Sequence, residues 1–210
     1  LTVRLPFVVI GGGLTAIDTA TESLAYYIVH IEPLLRRYEA LVDEIGETAV
    51  RASWTPDEAV IATEFLAHAR AIQKERENAA NEGRKPQFID LLNQWGGVTV
   101  AYRRRIIDSP SYPLPPDAIT PALEEGIRFA ECLVPEEVEI DAHGAATAIR
   151  FAKQRFDDAG VASTAEMVTL PARTVLVAAG TQPNTVLARE DEHNVHIDGR
   201  YFQALDEQGN

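Results

Sequence analysis

One cysteine, one methionine and two tryptophans are all that this chain of 210 residues holds of those types. The single cysteine, Cys132, rules out an internal disulfide and any Cys-x-x-Cys redox pair or iron–sulfur cradle within the chain. It sits in an apolar stretch, residues 129–134, where a buried structural thiol is expected. No apolar run approaches the roughly twenty residues of a membrane span, and no signal-like segment precedes the first apolar run, so a cytoplasmic protein is expected. Basic residues are scarce: 19 Lys and Arg stand against 32 Asp and Glu, a net charge of −13, which argues against nucleic acid as a partner. His30, His68, His143, His193 and His196 share no ligand spacing on a common helix, so no metal site is expected. No constellation of catalytic side chains is visible either.

What is present begins at the N-terminus. Leu5 to Ile10 is apolar and β-branched, as a buried parallel strand should be, and it runs straight into Gly11-Gly12-Gly13. Leu14, Ile17, Ala20 and Leu24 then follow at helical spacing. A strand, a glycine turn and a helix in that order make a site for a pyrophosphate. In this pattern Gly11 permits the tight turn, Gly13 lets backbone approach the phosphates, and Ala16 is the third small residue where helix and strand pack closely. Free amides and the positive end of the helix dipole attract the anion. Asp18, just beyond, is expected to make a helix-side hydrogen bond.

A second apolar run, Val98 to Tyr102, ends in Arg103-Arg104-Arg105. In a dinucleotide fold the end of the second strand reaches the adenosine ribose. An acidic residue there accepts from the 2′-hydroxyl of NAD, whereas arginine accommodates the 2′-phosphate of NADP through charge and forked donors. With arginine at the tip and no acid until Asp108, the sequence favours NADP(H), NAD(H) remaining open. Arg103 and Arg104 are preferred over Arg105, because three consecutive side chains cannot all face one phosphate.

The arginines arrive far later than the roughly twenty residues of a plain Rossmann unit. What intervenes reads as helix, with Ile28, Ile31, Leu34, Leu35, Tyr38, Leu41, Val42 and Ile45 set among charges. Thr55-Pro56-Asp57-Glu58 is a helix start with a Thr cap, Pro at the first position and Glu at the third, and Gly83 ends that helix. A shorter helix from Gln87 to Trp95 feeds Gly96-Gly97 and the second strand. Residues 27–86 thus form a helical insertion within a single domain, 1–210.

Between Gly126 and Pro171, short strands at 127–134, 137–140, 147–151 and 166–170 alternate with turn signals, Asp141-Ala142-His143-Gly144 and Asp157-Asp158-Ala159-Gly160. The pattern is a small antiparallel meander, followed by a final parallel strand at 174–178. The expected fold class is therefore α/β: a Rossmann-like three-layer nucleotide-binding domain with a parallel sheet, a small antiparallel β-meander and a large helical insertion.

Four segments in this order, Val9 to Asp18, Val98 to Arg104, Glu124 to Phe129 and Ala172 to Asn184, resemble the NAD(P)H-binding domain of the glutamate synthase small-subunit group. That group lies within the FAD-dependent pyridine nucleotide-disulfide oxidoreductases. The resemblance implies that Gly11, Gly12, Gly13, Leu14, Thr15 and Ala16 form the pyrophosphate turn and that Arg103 and Arg104 meet the 2′-phosphate. It further implies that Ala179, Gly180 and Thr181 lie against the nicotinamide half, with Pro183 and Asn184 completing that motif. The insertion has no counterpart in the group. Neither the second glycine turn nor the later Gly-Asp motif that hold FAD in such enzymes is in this sequence. FAD is thus expected in a parent protein, on a partner FAD-binding domain of the same chain, and the isolated domain is expected to be inactive.

Two functional classes remain open. One is an enzyme domain that docks NADPH against a flavin held elsewhere. The other is an assembly or regulatory module whose helices bind a partner subunit. An exposed stripe of Ile28, Ile31, Leu35 and Leu41 would support docking; a stripe packed back on the domain would make the insertion a buttress.

Overall fold

A computed structural model describes residues 3–109, 119–157, 160–180, 186, 197–198 and 201–202. Two compact units divide the chain, Leu1–Ala179 and Gly180–Asn210.

The first unit is built around a four-stranded parallel sheet. Strand β1 (Phe7–Ile10) lies between β2 (Val98–Ala101) and β7 (Thr174–Val177), and β3 (Arg128–Ala130) flanks β2, giving the order β3-β2-β1-β7. Phe7 is in register with Val98 on one side and Thr174 on the other. Because successive side chains on a strand point to opposite faces, β1 divides its residues between two cores. Phe7 and Val9, with Val98 and Val100, pack on the helices, whereas Val8 packs with Ala101, Leu133, Ile149, Phe151 and Ala172 on the other face. Three layers follow: helices, parallel sheet, antiparallel sheet. Burial of each such aliphatic or aromatic side chain contributes about 1.5–3 kcal/mol.

Helix α1 spans Leu14–Ile45 and is continuous, so the insertion does not begin with a helix of its own. Pro33 is accommodated inside it, and Gly46, with φ of 85°, closes it by donating its amide to the Val42 carbonyl. After the short α2 (Glu47–Ala52), α3 (Pro56–Asn81) starts with the expected reciprocal cap. The Glu58 amide donates to Thr55 Oγ1 at 3.3 Å, and the Thr55 amide donates to Glu58 Oε2 at 2.9 Å. Helix α3 returns along α1. Ala62 and Leu66 near its start face Leu34 and Leu41, and Pro86 and Phe88 beyond its end lie beside Leu24 and Ile28. Ile28, Ile31 and Leu35 are buried in that contact, while Leu41 is 46% exposed. Of the expected stripe, then, three members pack back on the domain and one does not. Helices α4 (Ile89–Gln94) and α5 (Ile119–Glu124) complete the described helical layer.

The antiparallel sheet is β4 (Leu133–Ile140), β5 (Ala146–Asp157) and β6 (Gly160–Pro171), in that order. The meander is longer than its sequence suggests, because β5 and β6 form one hairpin whose turn-proximal half is rich in polar and charged residues. The single strand expected at 127–134 is split. Cys132 takes a left-handed φ of 61°, so the chain leaves the parallel sheet after Ala130 and joins the antiparallel one at Leu133. Asp141 organises the β4–β5 turn by accepting from the amides of His143 and Ala145, both at 2.9 Å. The second unit contains a two-stranded antiparallel ribbon, β8 (Ile197–Asp198) and β9 (Tyr201–Phe202). His193, His196, Pro183 and Asn184, all singled out from sequence, lie outside the described residues. No helix among the described residues is long and apolar enough to cross a membrane.

Candidate functional site

The glycine turn lies at the carboxyl ends of β1 and β2, beside the β1/β7 boundary where the strand order reverses. In open α/β sheets that boundary is where ligands bind. Each glycine meets a different environment. A Cβ on Gly11 would stand 2.4 Å from the Ala178 carbonyl oxygen and 2.9 Å from the Ala16 Cβ, so the crossing of β1, β7 and α1 admits no side chain there. Ala16 is fully buried at that crossing, as a third small residue should be. At Gly12 a Cβ would collide with the Tyr102 ring, 2.2 Å away.

Gly13 is different. Its φ of −96° suits any residue, and a Cβ there would meet nothing within 4 Å. Neither backbone nor packing asks for glycine at this position. Gly13 caps α1 without a side-chain hydrogen bond, and no acidic residue occupies the first turn. The amides of Leu14 and Thr15 have no acceptor within the helix. Both residues are exposed. This is an open helix N-terminus with a positive dipole end, a cradle in which a Cβ would take the room of a ligand.

Arg103 and Arg104 follow β2 directly and are exposed; neither makes a salt bridge to a described residue. Arg105 is committed, gripping Asp108 through Nε at 2.8 Å and a second nitrogen at 3.1 Å, and lying 5.9 Å over the Phe156 ring. That hydrogen-bonded grip holds the Asp108 carboxyl below its usual range. Ala179 is exposed just beyond β7, and Gly180 opens the second unit. Thr181 is outside the described residues.

Sequence reading missed the strap that crosses the turn. Tyr102 lies on Gly12, the buried Ser109 hydroxyl donates to the Gly12 carbonyl, and the Ile106 amide donates to the Glu131 carboxylate. The Cys132 amide donates to the Arg104 carbonyl at 3.1 Å, which ties the strap to the β3–β4 corner. The cleft enclosed by Gly12, Val100, Tyr102, Ile106 and Ser109 amounts to about 10 Å³, room for about one water. An adenosine placed there has to displace Tyr102 or the 106–109 turn. Cys132 is half-buried rather than fully buried, because its corner lies at the rim of the sheet; burial still pushes its thiol up. Asp18 is exposed on α1, and its backbone carbonyl accepts from Thr21 Oγ1 at 3.1 Å.

Elsewhere the described histidines, His30, His68 and His143, have structural partners. His68 stacks on Trp95 with ring centroids 3.8 Å apart and shares a 2.6 Å hydrogen bond with the Tyr27 hydroxyl; burial lowers its pKa to about 4. His143 meets Asp57 at 3.0 Å, and His30 stacks on Tyr26. No group of three or more candidate metal ligands occurs among the described residues.

No family model matches the chain. Uncharacterized protein RP006 of Rickettsia prowazekii (strain Madrid E) is 33% identical over 197 residues, which cover 88% of this chain. The chain spans only 25% of that relative's length. Among solved structures, bacillithiol disulfide reductase Bdr (YpdA) from Bacillus cereus is 14% identical at a TM-score of 0.41, covering 97% of this chain and 37% of that one. The covalent putidaredoxin reductase–putidaredoxin complex is 15% identical at a TM-score of 0.39, covering 91% of this chain and 27% of that one. Overlaps this loose carry no function across to the present chain.

Proposed function

We propose that the chain is the NADPH-binding domain of a larger FAD-dependent oxidoreductase of the pyridine nucleotide-disulfide type, akin to the glutamate synthase small-subunit group. The observation that carries this reading is Gly13, a glycine that neither conformation nor packing demands, at the open N-terminus of α1. A bound dinucleotide phosphate would supply a hydride from its nicotinamide to a flavin held by another domain. The work of this chain is positional. The Gly13, Leu14 and Thr15 amides receive the pyrophosphate, and Arg103 and Arg104 receive the 2′-phosphate. Tyr102 and the 106–109 turn yield to the adenosine, and Ala179, at the end of the first unit, is assigned to the nicotinamide side. The match to one quarter of a longer Rickettsia relative agrees with a domain that works inside a larger protein. Burial of Ile28, Ile31 and Leu35 favours a buttress over a subunit-binding stripe for the insertion.

Parallel calorimetric titration of the chain with NADPH, NADH and FAD tests the proposal. NADPH is expected to bind ahead of NADH, with no uptake of FAD. Gly13→Ala is expected to leave the melting temperature unchanged while weakening NADPH by at least about tenfold, because its Cβ holds the phosphate off the Leu14 and Thr15 amides. Equal affinity for all three nucleotides, or none for any, defeats the reading.

A further inference from the structure

The distal half of the helical hairpin holds a groove that the nucleotide reading leaves unused. Leu34, Tyr38 and Leu41 of α1, Val50 of α2, Trp54 of the turn that follows it and Leu66 of α3 wall a space of about 250 Å³, with Ala62 opposite α1 where a larger residue would fill it. The groove is apolar and open to solvent, with Leu41 46% exposed at its mouth.

Its charges run against the character of the chain. With a net charge of −13, an anion is repelled at long range and can be held only by short-range contacts. Yet the one charged residue lining the groove is a cation, Arg37. Arg70 lies 6.0 Å over the Tyr38 ring, and Arg51 lies 5.8 Å from Tyr38 and 5.7 Å from Trp54. Glu47, the carboxylate of α2 nearest this rim, is consumed, accepting from Arg51 at 2.7 Å and from the Tyr38 hydroxyl at 2.8 Å. The Glu58 carboxylate is consumed in the Thr55 cap. Arg37, on the groove wall, makes no salt bridge to any described residue; Arg70, beside the wall rather than on it, makes none either, although Glu47 also feels its charge.

From this we infer that the groove is a binding site for a small anionic amphiphile, a carboxylate on an alkyl or aryl body whose chain lies on Tyr38, Trp54 and Leu66 and whose head meets Arg37 and Arg70. A volume below the roughly 300–1,000 Å³ of drug-sized sites suits a body of about eight carbons or one ring. Guanidinium groups fork onto carboxylates, and aromatic floors suit alkyl chains.

Three probes that share one tail, octanoate, octanol and octyltrimethylammonium, are titrated below their micelle concentrations into the intact chain, with calorimetry and tryptophan emission as readouts. Octanoate is expected to bind at one saturable site, about tenfold or more ahead of octanol, with the ammonium weakest. Arg37→Ala with Arg70→Ala should bring octanoate down to the level of octanol while leaving octanol unchanged. Leu41→Glu, at an exposed position that folding does not depend on, should repel octanoate, and Ala62→Leu should remove both ligands. Equal binding of all three probes, no saturable octanoate site, or binding indifferent to Leu41→Glu overturns the inference. So does a dimer in sedimentation that Leu41→Glu dissociates, since the groove would then be covered by a second copy. NADPH affinity is expected to be the same throughout, which separates this outcome from that of the nucleotide site.

Discussion

At the amino end of the parallel strands, Arg4 and Arg173 converge on Glu64 of α3, with distances of 2.7 and 2.8 Å to one carboxylate oxygen. At the carboxyl end, Arg103 and Arg104 project beyond β2 and make no salt bridge to a described residue; Asp108, which feels the Arg104 charge, is already gripped by Arg105. The amino end is closed by side chains of its own: Thr174 exchanges hydrogen bonds with the Arg4 backbone, and Tyr27, His68 and Trp95 fill the space beside it. Burial outweighs the arginines in setting Glu64, whose carboxyl is held above its usual range. One end uses arginine to fasten the insertion to the sheet; at the other, under the function proposed above, arginine would receive an anion from outside. On that proposal the same residue type serves stability or recognition according to whether the fold supplies the counter-charge.

Substitutions should separate the two ends. The largest effect is expected from Glu64→Ala, which strands two partly buried guanidinium groups and should cost about 2–4 kcal/mol of unfolding free energy in a denaturant titration. A loss under about 0.5 kcal/mol would mean that the arginines find water and that the amino end is no fastening at all. Gly11→Ala comes next. It forces a Cβ against the Ala178 carbonyl and should cost roughly 1–3 kcal/mol, by overpacking. Set beside Gly13→Ala, which should leave stability intact, it divides the turn into a structural and a recognition glycine. Arg103→Ala with Arg104→Ala should leave the melting temperature unchanged while weakening NADPH by about 10- to 100-fold more than NADH. Equal losses for the two nucleotides would remove the ground for a phosphate preference.

The smallest expected effect is a pH dependence at the amino end. Burial lowers the His68 pKa from 6.5 to about 4, so between those values the unfolded chain takes up a proton that the folded chain refuses. Stability is therefore full above pH 6.5 and falls as the pH drops toward 4, by on the order of 1–2 kcal/mol after allowance for partial solvent screening. Glu64, Arg4 and the Tyr27 hydroxyl face the same cluster, so the profile of His68→Gln is the needed control. It should be flatter than that of the wild type through this window, and identical profiles would assign the dependence to the carboxylates.

Much of the scaffold was legible because it is written locally. The β-branched run into the glycines, the Thr55 cap and the Asp141 turn each depend on residues a few places apart, and each stands where its spacing placed it. Less legible was anything decided across the sheet. Periodicity alone does not tell whether helix continues past Tyr26, and α1 runs through Pro33 because its inward face stays apolar from Ala16 to Tyr38. The break at Cys132 follows from the chain changing sheets, a tertiary event with no signal in an apolar run. Most consequential, Tyr102 and Ser109 close over Gly12 from a segment remote in sequence. Nothing in the sequence marks that contact, because the burial of Ser109 is decided by the fold.

The continuity of α1 also has a mechanical side. Thirty-two residues at about 1.5 Å each make a rod of about 48 Å that begins at the glycine turn and carries α2 at its far end. Held against α3 through the buried Ile28, Ile31 and Leu35, the rod sets the groove at Leu34 and Leu41 about 30–40 Å from the glycine turn, a span over which screened charges at the two places do not feel each other.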